Sequence, residues 1–215
     1  LASAHKGVEI RPESDVSDAE IPALAARPEV IDFLMTRRSR PARTLAPPLP
    51  DRTTLTAILT AAVRVPDHGK LEPWRLVVLD RAALLALATL AEERAAERGI
   101  DPETRAKGVA QFRDAHLAVA VVKVPRPTDR IPEIEQVLST GAVCLSLLNA
   151  AAAHGFGANW LTGWVAADPV ICARGFGLQP GEWVAGLVYI GTETAVPPER
   201  PRPDLARLVT WGLPK

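Results

Sequence analysis

Four arginines and a serine crowd into one short stretch, Arg37, Arg38, Ser39, Arg40 and Arg43. Guanidinium groups at that density, beside the end of an apolar helical pattern, offer planar bidentate donors to a phosphate. A solvated loop making weak surface ion pairs uses the same residues, and taken alone the segment favours that plainer role. Arg200, Arg202 and Arg207 form a second basic group that could converge on the same anion or simply coat a surface. The loop from Pro66 through Asp67, His68, Gly69, Lys70, Leu71 and Glu72 to Pro73 and Trp74 is more distinctive. It holds His, Lys and Trp between prolines directly before an apolar run, and anchored loops carry sites more often than packing. His68 could act as a base, a metal ligand or a hydrogen-bond donor. Donor is the preferred role, because His5, His116 and His154 are isolated in sequence and no HxxxH or CxxC spacing occurs. Nucleophilic chemistry has no G-x-S-x-G to rest on, and Cys144 and Cys172 lie in apolar helical patterns suited to inert core thiols.

The glycines of Gly155-Phe156-Gly157-Ala158-Asn159-Trp160-Leu161-Thr162-Gly163 do not form a dinucleotide fingerprint. That fingerprint runs from strand to helix, so that a phosphate meets the helix N-terminus, whereas here the glycines follow a helix and lead into a strand. Two readings stay open: a helix C-cap with a tight connection, or backbone groups from Trp160 to Gly163 lying against a flat ring.

Elements able to position these residues follow from periodicity. Ile31, Phe33, Leu34 and Met35 suggest a helix ending at the arginine cluster, followed by a turn through Pro47, Pro48 and Pro50. Asp51 can cap a helix with Leu55, Ile58, Leu59, Ala62 and Val63 on one face, stopped by Pro66. Buried strands are predicted at 76–79, 117–122 and 183–190, with a shorter one at 159–162. Helices are predicted over 84–98 and 102–112, from Pro132 to Gly155, and over 169–174 with Asp168 as its cap. The helix before Gly155 is apolar on both faces, which requires burial on both sides, by its own domain or by a second subunit. Alternating strands and helices place the chain in the α/β or α+β class. Residues 1–30 read as an N-terminal extension, and 31–215 as one domain whose Pro-rich tail from Thr192 reaches away from its own core.

The 215 residues are 47% hydrophobic, with 25 basic and 25 acidic side chains, so bulk charge points to no nucleic-acid partner. Two cysteines argue against a disulfide scaffold and fit a reducing, cytoplasmic setting, and the first ten residues lack a signal-peptide core. The stretch 136–167 contains no Asp, Glu, Lys or Arg, but Asn149, His154 and the glycines are expected to break it short of a membrane span.

Taken in order, Arg37-Arg38-Ser39, the loop from Arg64 to Trp74, the uncharged helix, Gly155-Phe156-Gly157 to Gly163, and the strand ending Tyr189-Ile190-Gly191-Thr192 resemble the flavin-dependent nitroreductase family, in particular its short NAD(P)H nitroreductase branch. The resemblance spans residue 31 to the C-terminus. It implies an α+β fold with a central mixed β-sheet flanked by helices, built as an intertwined homodimer with FMN at the subunit interface. Carried over by position, Arg37, Arg38 and Ser39 would hold the FMN phosphate and ribityl chain, and Arg64 and His68 would donate to the same cofactor. Trp160, Leu161 and Thr162 would lie along the flavin with Gly163 beside it. The helix end formed by Ala150, Ala151, Ala152, Ala153, His154 and Gly155 matches the stretch associated with the pyridine nucleotide. Arg200 and Arg202 are added as phosphate contacts on charge alone. Many members carry Ser where His68 stands and Gln where Glu72 stands, so Glu72 receives no cofactor role. The implied activity is NAD(P)H-dependent reduction of nitroaromatic or quinone-like acceptors by ping-pong hydride transfer, with no catalytic acid assigned and no metal, nucleic acid or membrane partner. The same scaffold could instead run another flavin reaction, such as small-molecule dehydrogenation or flavin breakdown, or serve as a non-catalytic dimeric binding protein.

Overall fold

Seven helices and five strands form in a computed structural model that describes residues 23–213. The helices are α1 (Pro28–Thr36), α2 (Arg52–Ala62), α3 (Arg81–Glu97), α4 (Pro102–Arg113), α5 (Glu133–Ala153), α6 (Pro169–Phe176) and α7 (Leu205–Leu208). The strands are β1 (Leu45–Ala46), β2 (Trp74–Leu79), β3 (Ala118–Lys123), β4 (Gly157–Leu161) and β5 (Trp183–Glu193). Asp51, Asp80, Asp101, Asp168 and Asp204 each start a helix by accepting a first-turn N–H, the contact that makes aspartate a good N-cap. Most predicted elements therefore form close to where the pattern put them, and β2 begins two residues earlier, at Trp74.

The sheet runs β1-β5-β3-β2, with β4 also on β5, and every pairing is antiparallel. The fold is α+β as expected, but the described strands make no parallel pair, so the sheet is not mixed within them. The connection between β2 and β3 explains one pairing. α3 and α4 pack together about the Gly99 turn, so the chain comes back to the end of the sheet it left, and β3 runs against β2.

Alternation along the strands divides the core in two. On one face Ala118, Ala120, Leu187 and Tyr189 meet α3, α4 and α6. On the other, Val119, Val121, Val188 and Ile190 meet α2 and α5. β3 is buried on both faces, which accounts for its unbroken apolar sequence. α5 differs from expectation in one respect. Val143, Cys144, Leu147 and Ala151 pack on the sheet, whereas Ile134, Leu138 and Leu145 are exposed, so within this chain only one side is covered. Asn149 does not break the helix, which continues to Ala153. At 21 residues it is the one described helix long and apolar enough to cross a membrane, and half of its most apolar window is buried in the protein. α1 buries none of its residues and exposes Val30, Ile31, Leu34 and Met35. Of the predicted extension, residues 1–22 lie outside the described residues.

Candidate functional site

The segment after α1 runs along the outer edge of β4. Arg40 donates its backbone N–H to Ala158 O (2.9 Å), and Asn159 Nδ2 donates to Arg40 O (2.7 Å). Gly157 permits this closeness, since a Cβ there would stand 2.6 Å from Leu45 Cδ2 and 3.0 Å from Arg40 Cγ. Two clefts flank the strap. The smaller, about 260 Å³, is lined by Arg37, Arg38, Arg40, Ala152, Gly155 and Glu193 among others. The larger, about 600 Å³, lies between the strap, β4 and α4, with Arg43, Lys107, Gln111, Asn159 and Leu161 on its walls.

The smaller cleft carries an unsatisfied positive charge. Among the described residues Arg37 Nε and Arg38 Nη1 are buried without a hydrogen-bond partner, and Arg37 otherwise makes only a long 3.5 Å contact there, from Nη2 to Ser39 Oγ. Burial pushes the Arg37 pKa down, and the positive charges of Arg202 and Arg40 push it further. The tail thus brings Arg202 into the field of Arg37. Within the tail Glu199 accepts from Arg200 N–H (2.8 Å) and pairs with Arg202 Nη2 at 2.9 Å. Its carboxyl is held below the usual range, first by the Arg200 N–H, then by Arg202 and, through space, Arg38. Arg200 contributes its backbone here, while its side chain is exposed. Arg40 Nε lies 2.9 Å from Glu193 Oε2.

The last turn of α5 closes the same cleft. Ala152 and Gly155 line it, Ala150 and Ala151 are buried behind, and Ala153 faces out. His154 Nδ1 lies 2.9 Å from Ala150 O, and Gly155 takes φ +82°, the left-handed position that ends the helix. A helix C-terminus carries partial negative charge, which suits the neighbouring arginines.

β4 splits the expected ring-contacting stretch between two faces. Leu161 lines the larger cleft, and Thr162 is exposed. Trp160, 38% exposed, points to the opposite face, where its indole Nε1 donates to Ala185 O (3.1 Å). That acceptor exists because β5 is irregular at this point: Val121 pairs with Gly186 and Val122 with Val184, leaving Ala185 as a bulge. Gly186 leaves the room, because a Cβ on it would lie 2.1 Å from Trp160 Nε1. Gly163 has φ +93°, and a Cβ there would stand 3.1 Å from Gln111 Nε2.

Arg64 and His68 are not brought to these clefts; neither lines one. Arg64 is exposed. His68 Nδ1 instead lies 2.7 Å from Glu135 Oε2 at the start of α5. The loop around it is firmly held. Ser139 Oγ donates to Pro66 O (2.6 Å), Thr140 Oγ1 to Pro73 O (3.2 Å), and Arg126 Nε to Leu71 O (3.0 Å). Asp67 accepts from the N–H groups of Leu71 and Glu72. These bonds hold Lys70 at φ +51° and Glu72 at φ +47°, conformations that cost a non-glycine residue about 1–3 kcal/mol each. Gln111 and Lys107 were absent from the sequence expectation, since α4 showed only as a helix and nothing local marks its face toward β4. Among the described residues no three His, Cys, Asp or Glu side chains gather as a metal site.

Comparison with known proteins agrees with this arrangement. The sequence model of the Nitroreductase family matches residues 34–192. The Escherichia coli K12 protein named "Putative NAD(P)H nitroreductase YdjA" is 32% identical over 165 residues, covering 76% of this chain and 88% of its own. A Haemophilus influenzae protein with the name "Putative NAD(P)H nitroreductase" is 34% identical over 166 residues, with the same coverage of 76% and 88%. Among solved structures, a nitroreductase-like family protein from Bacillus cereus superposes with a TM-score of 0.70 at 22% identity, over 88% of this chain and 98% of that one. A nitroreductase with bound FMN from Bacteroides fragilis gives 0.67 at 19% identity, over 85% and 98%. With a family match over residues 34–192 and curated relatives above 30% identity, the chain belongs to the nitroreductase family.

Proposed function

We propose that this protein is an FMN-dependent oxidoreductase that uses NAD(P)H to reduce nitroaromatic or quinone-like acceptors by ping-pong hydride transfer, acting as a cytoplasmic homodimer. The observation that carries the reading is the pair of buried, partnerless guanidinium nitrogens, Arg37 Nε and Arg38 Nη1, in a cleft to which Arg202 adds further positive charge. Orphaned donors of this kind are rare in native proteins, and a dianionic phosphate would satisfy both. The residues therefore fit the phosphate end of FMN. The larger cleft, bordered by the same strap, offers the ring system a space between β4 and α4.

In this reading Arg37, Arg38 and Arg202 hold the phosphate and Ser39 the adjoining chain. Leu161, Thr162 and Gly163 border the ring, and the α5 end at Ala152 to Gly155 shapes the neighbouring wall. Bound FMN would supply two-electron hydride chemistry between the nicotinamide and the acceptor. The protein's share is position and electrostatics. Arg64 and His68 reach neither cleft of their own chain, so in a dimer they would serve the partner's cofactor. The uncovered apolar faces of α1 and α5, with Val196, Leu205, Leu208 and Trp211 of the tail, are the surfaces a second copy would bury. The domain boundary belongs with this proposal: residues from about 31 onward form the unit.

The test is an absorbance spectrum of the purified protein, identification of the released chromophore, and anaerobic addition of NADH and then NADPH. Yellow protein that releases FMN and bleaches with either nucleotide is the expected result. Colourless protein that cannot be reconstituted would overturn the proposal. Light scattering during gel filtration checks the dimer independently.

A further inference from the structure

The only tyrosine in the chain stands inside the sheet core. Tyr189 is 1% exposed, and among the described residues its hydroxyl has a single partner, Gln111 Oε1 at 3.4 Å. A phenol does not need a partner on the wall of a cleft to fill a core; phenylalanine would fill the same volume. Gln111 stands on that wall, with Leu161 and Asn159 across from it. Its Oε1 faces Tyr189, and its Nε2 lies on the open side of Gly163, 3.1 Å from where a side chain there would begin. Gly163 is thus bare on the side that the amide nitrogen occupies. Burial raises the Tyr189 pKa, so its hydroxyl stays protonated and is able to donate to Gln111 Oε1. With Oε1 turned to that hydroxyl, the Nε2 N–H groups are the ones on the Gly163 side.

From this geometry we infer that Gln111 is a hydrogen-bond donor to the heterocycle seated in the larger cleft, and that Tyr189 is the positioning residue that fixes its direction. The inference rests on the FMN reading above. An uncharged donor against an acceptor edge of the ring favours whichever redox state holds more electron density there, which is the reduced one. Gln111 would therefore raise the midpoint potential of the bound cofactor without titrating.

The experiment uses the full chain reconstituted with FMN, and reads the visible spectrum, the FMN dissociation constant and the midpoint potential for the native protein, Tyr189→Phe, Gln111→Leu and the double variant. Losing one donor to an anionic acceptor should weaken binding of reduced relative to oxidised FMN about tenfold, a fall of about 30 mV for a two-electron couple. Gln111→Leu is expected to show that fall, Tyr189→Phe a fall in the same direction, and the double variant no more than Gln111→Leu alone. Gln111 is only partly buried, so its variant keeps the test alive if Tyr189→Phe does not fold. An unchanged potential in Gln111→Leu, or an additive effect in the double variant, would overturn the inference while leaving the cofactor reading intact. Native protein that takes up no FMN would overturn both, and that failure shows before any variant is made.

Discussion

Replacing Arg37 with methionine separates a residue kept for a ligand from one kept for the fold. Methionine retains the aliphatic stem and removes the guanidinium. In the protein without ligand that group contributes little: Nε has no partner, the contact to Ser39 is 3.5 Å, and Arg40 and Arg202 repel it. Its loss should leave stability within about 0.5 kcal/mol of the native value or slightly above it, a change in Tm below about 2 °C at this chain length. Against FMN the balance reverses. A charged donor to phosphate contributes about 1.5–3 kcal/mol, so the dissociation constant should rise by roughly ten- to a hundredfold. Titration of the apoprotein with FMN, followed by flavin fluorescence, reads the second quantity; a thermal melt of the same apoprotein reads the first. An unchanged dissociation constant would refute the phosphate assignment. A fall of several degrees in the apoprotein would show that Arg37 holds the fold together instead.

Three further outcomes follow from other parts of the molecule. Gly186→Ala should push the Trp160 indole off Ala185 O, losing about 1 kcal/mol of hydrogen bond while regaining roughly 0.5–1 kcal/mol of glycine entropy. Stability should therefore barely move while tryptophan emission shifts to the red; an unchanged spectrum would mean that the strand gives way instead. Asp168 is 0% exposed: burial alone would raise its carboxyl, but the Ile171 N–H with Arg94 and Arg98 brings it net below its ordinary value of 3.8. A depressed folded-state value means stability that is present above about pH 4 and lost as pH falls through the folded pKa, so Asp168→Asn should flatten the acid limb of a Tm–pH curve and cost about 1–3 kcal/mol at neutral pH. Burial pushes Cys144 up to about 12 and Cys172 to about 11, so a thiol reagent at pH 8 should label neither in the native protein and both after denaturation.

The elements were readable wherever the signal was local. Asp51 and Asp168 cap helices by contacts within three residues, and the apolar run of β3 announces a strand buried on both faces. What escaped was set by long-range pairing. His68 meets Glu135, Tyr189 meets Gln111, and Trp160 finds the carbonyl of a bulge at Ala185, none of which leaves a mark near either partner. The antiparallel sheet depends on the paired α3 and α4 bringing the chain back, which strand composition does not record. Of the site, the arginine cluster was plain, but its two orphaned nitrogens exist only once α5 and β4 have buried them. Arg202 is the converse case, a residue named on charge alone whose charge, in the folded chain, acts on Arg37 through space.

β5 is the last strand in the chain, yet β1, β3 and β4 all pair with it. During synthesis β2, α3, α4 and β3 can assemble as they emerge from the ribosome. β1 and β4 must wait, and until Trp183–Glu193 arrives one edge of β3, apolar on both faces, stays open. Such late, distant closure is slow, and an open apolar edge invites pairing with another chain. The arginine strap is in the same position, because Arg40 bonds to β4 and lies against Glu193. The phosphate site proposed above would therefore exist only in chains that have completed β5, and a nascent or truncated chain would hold the arginines without their pocket.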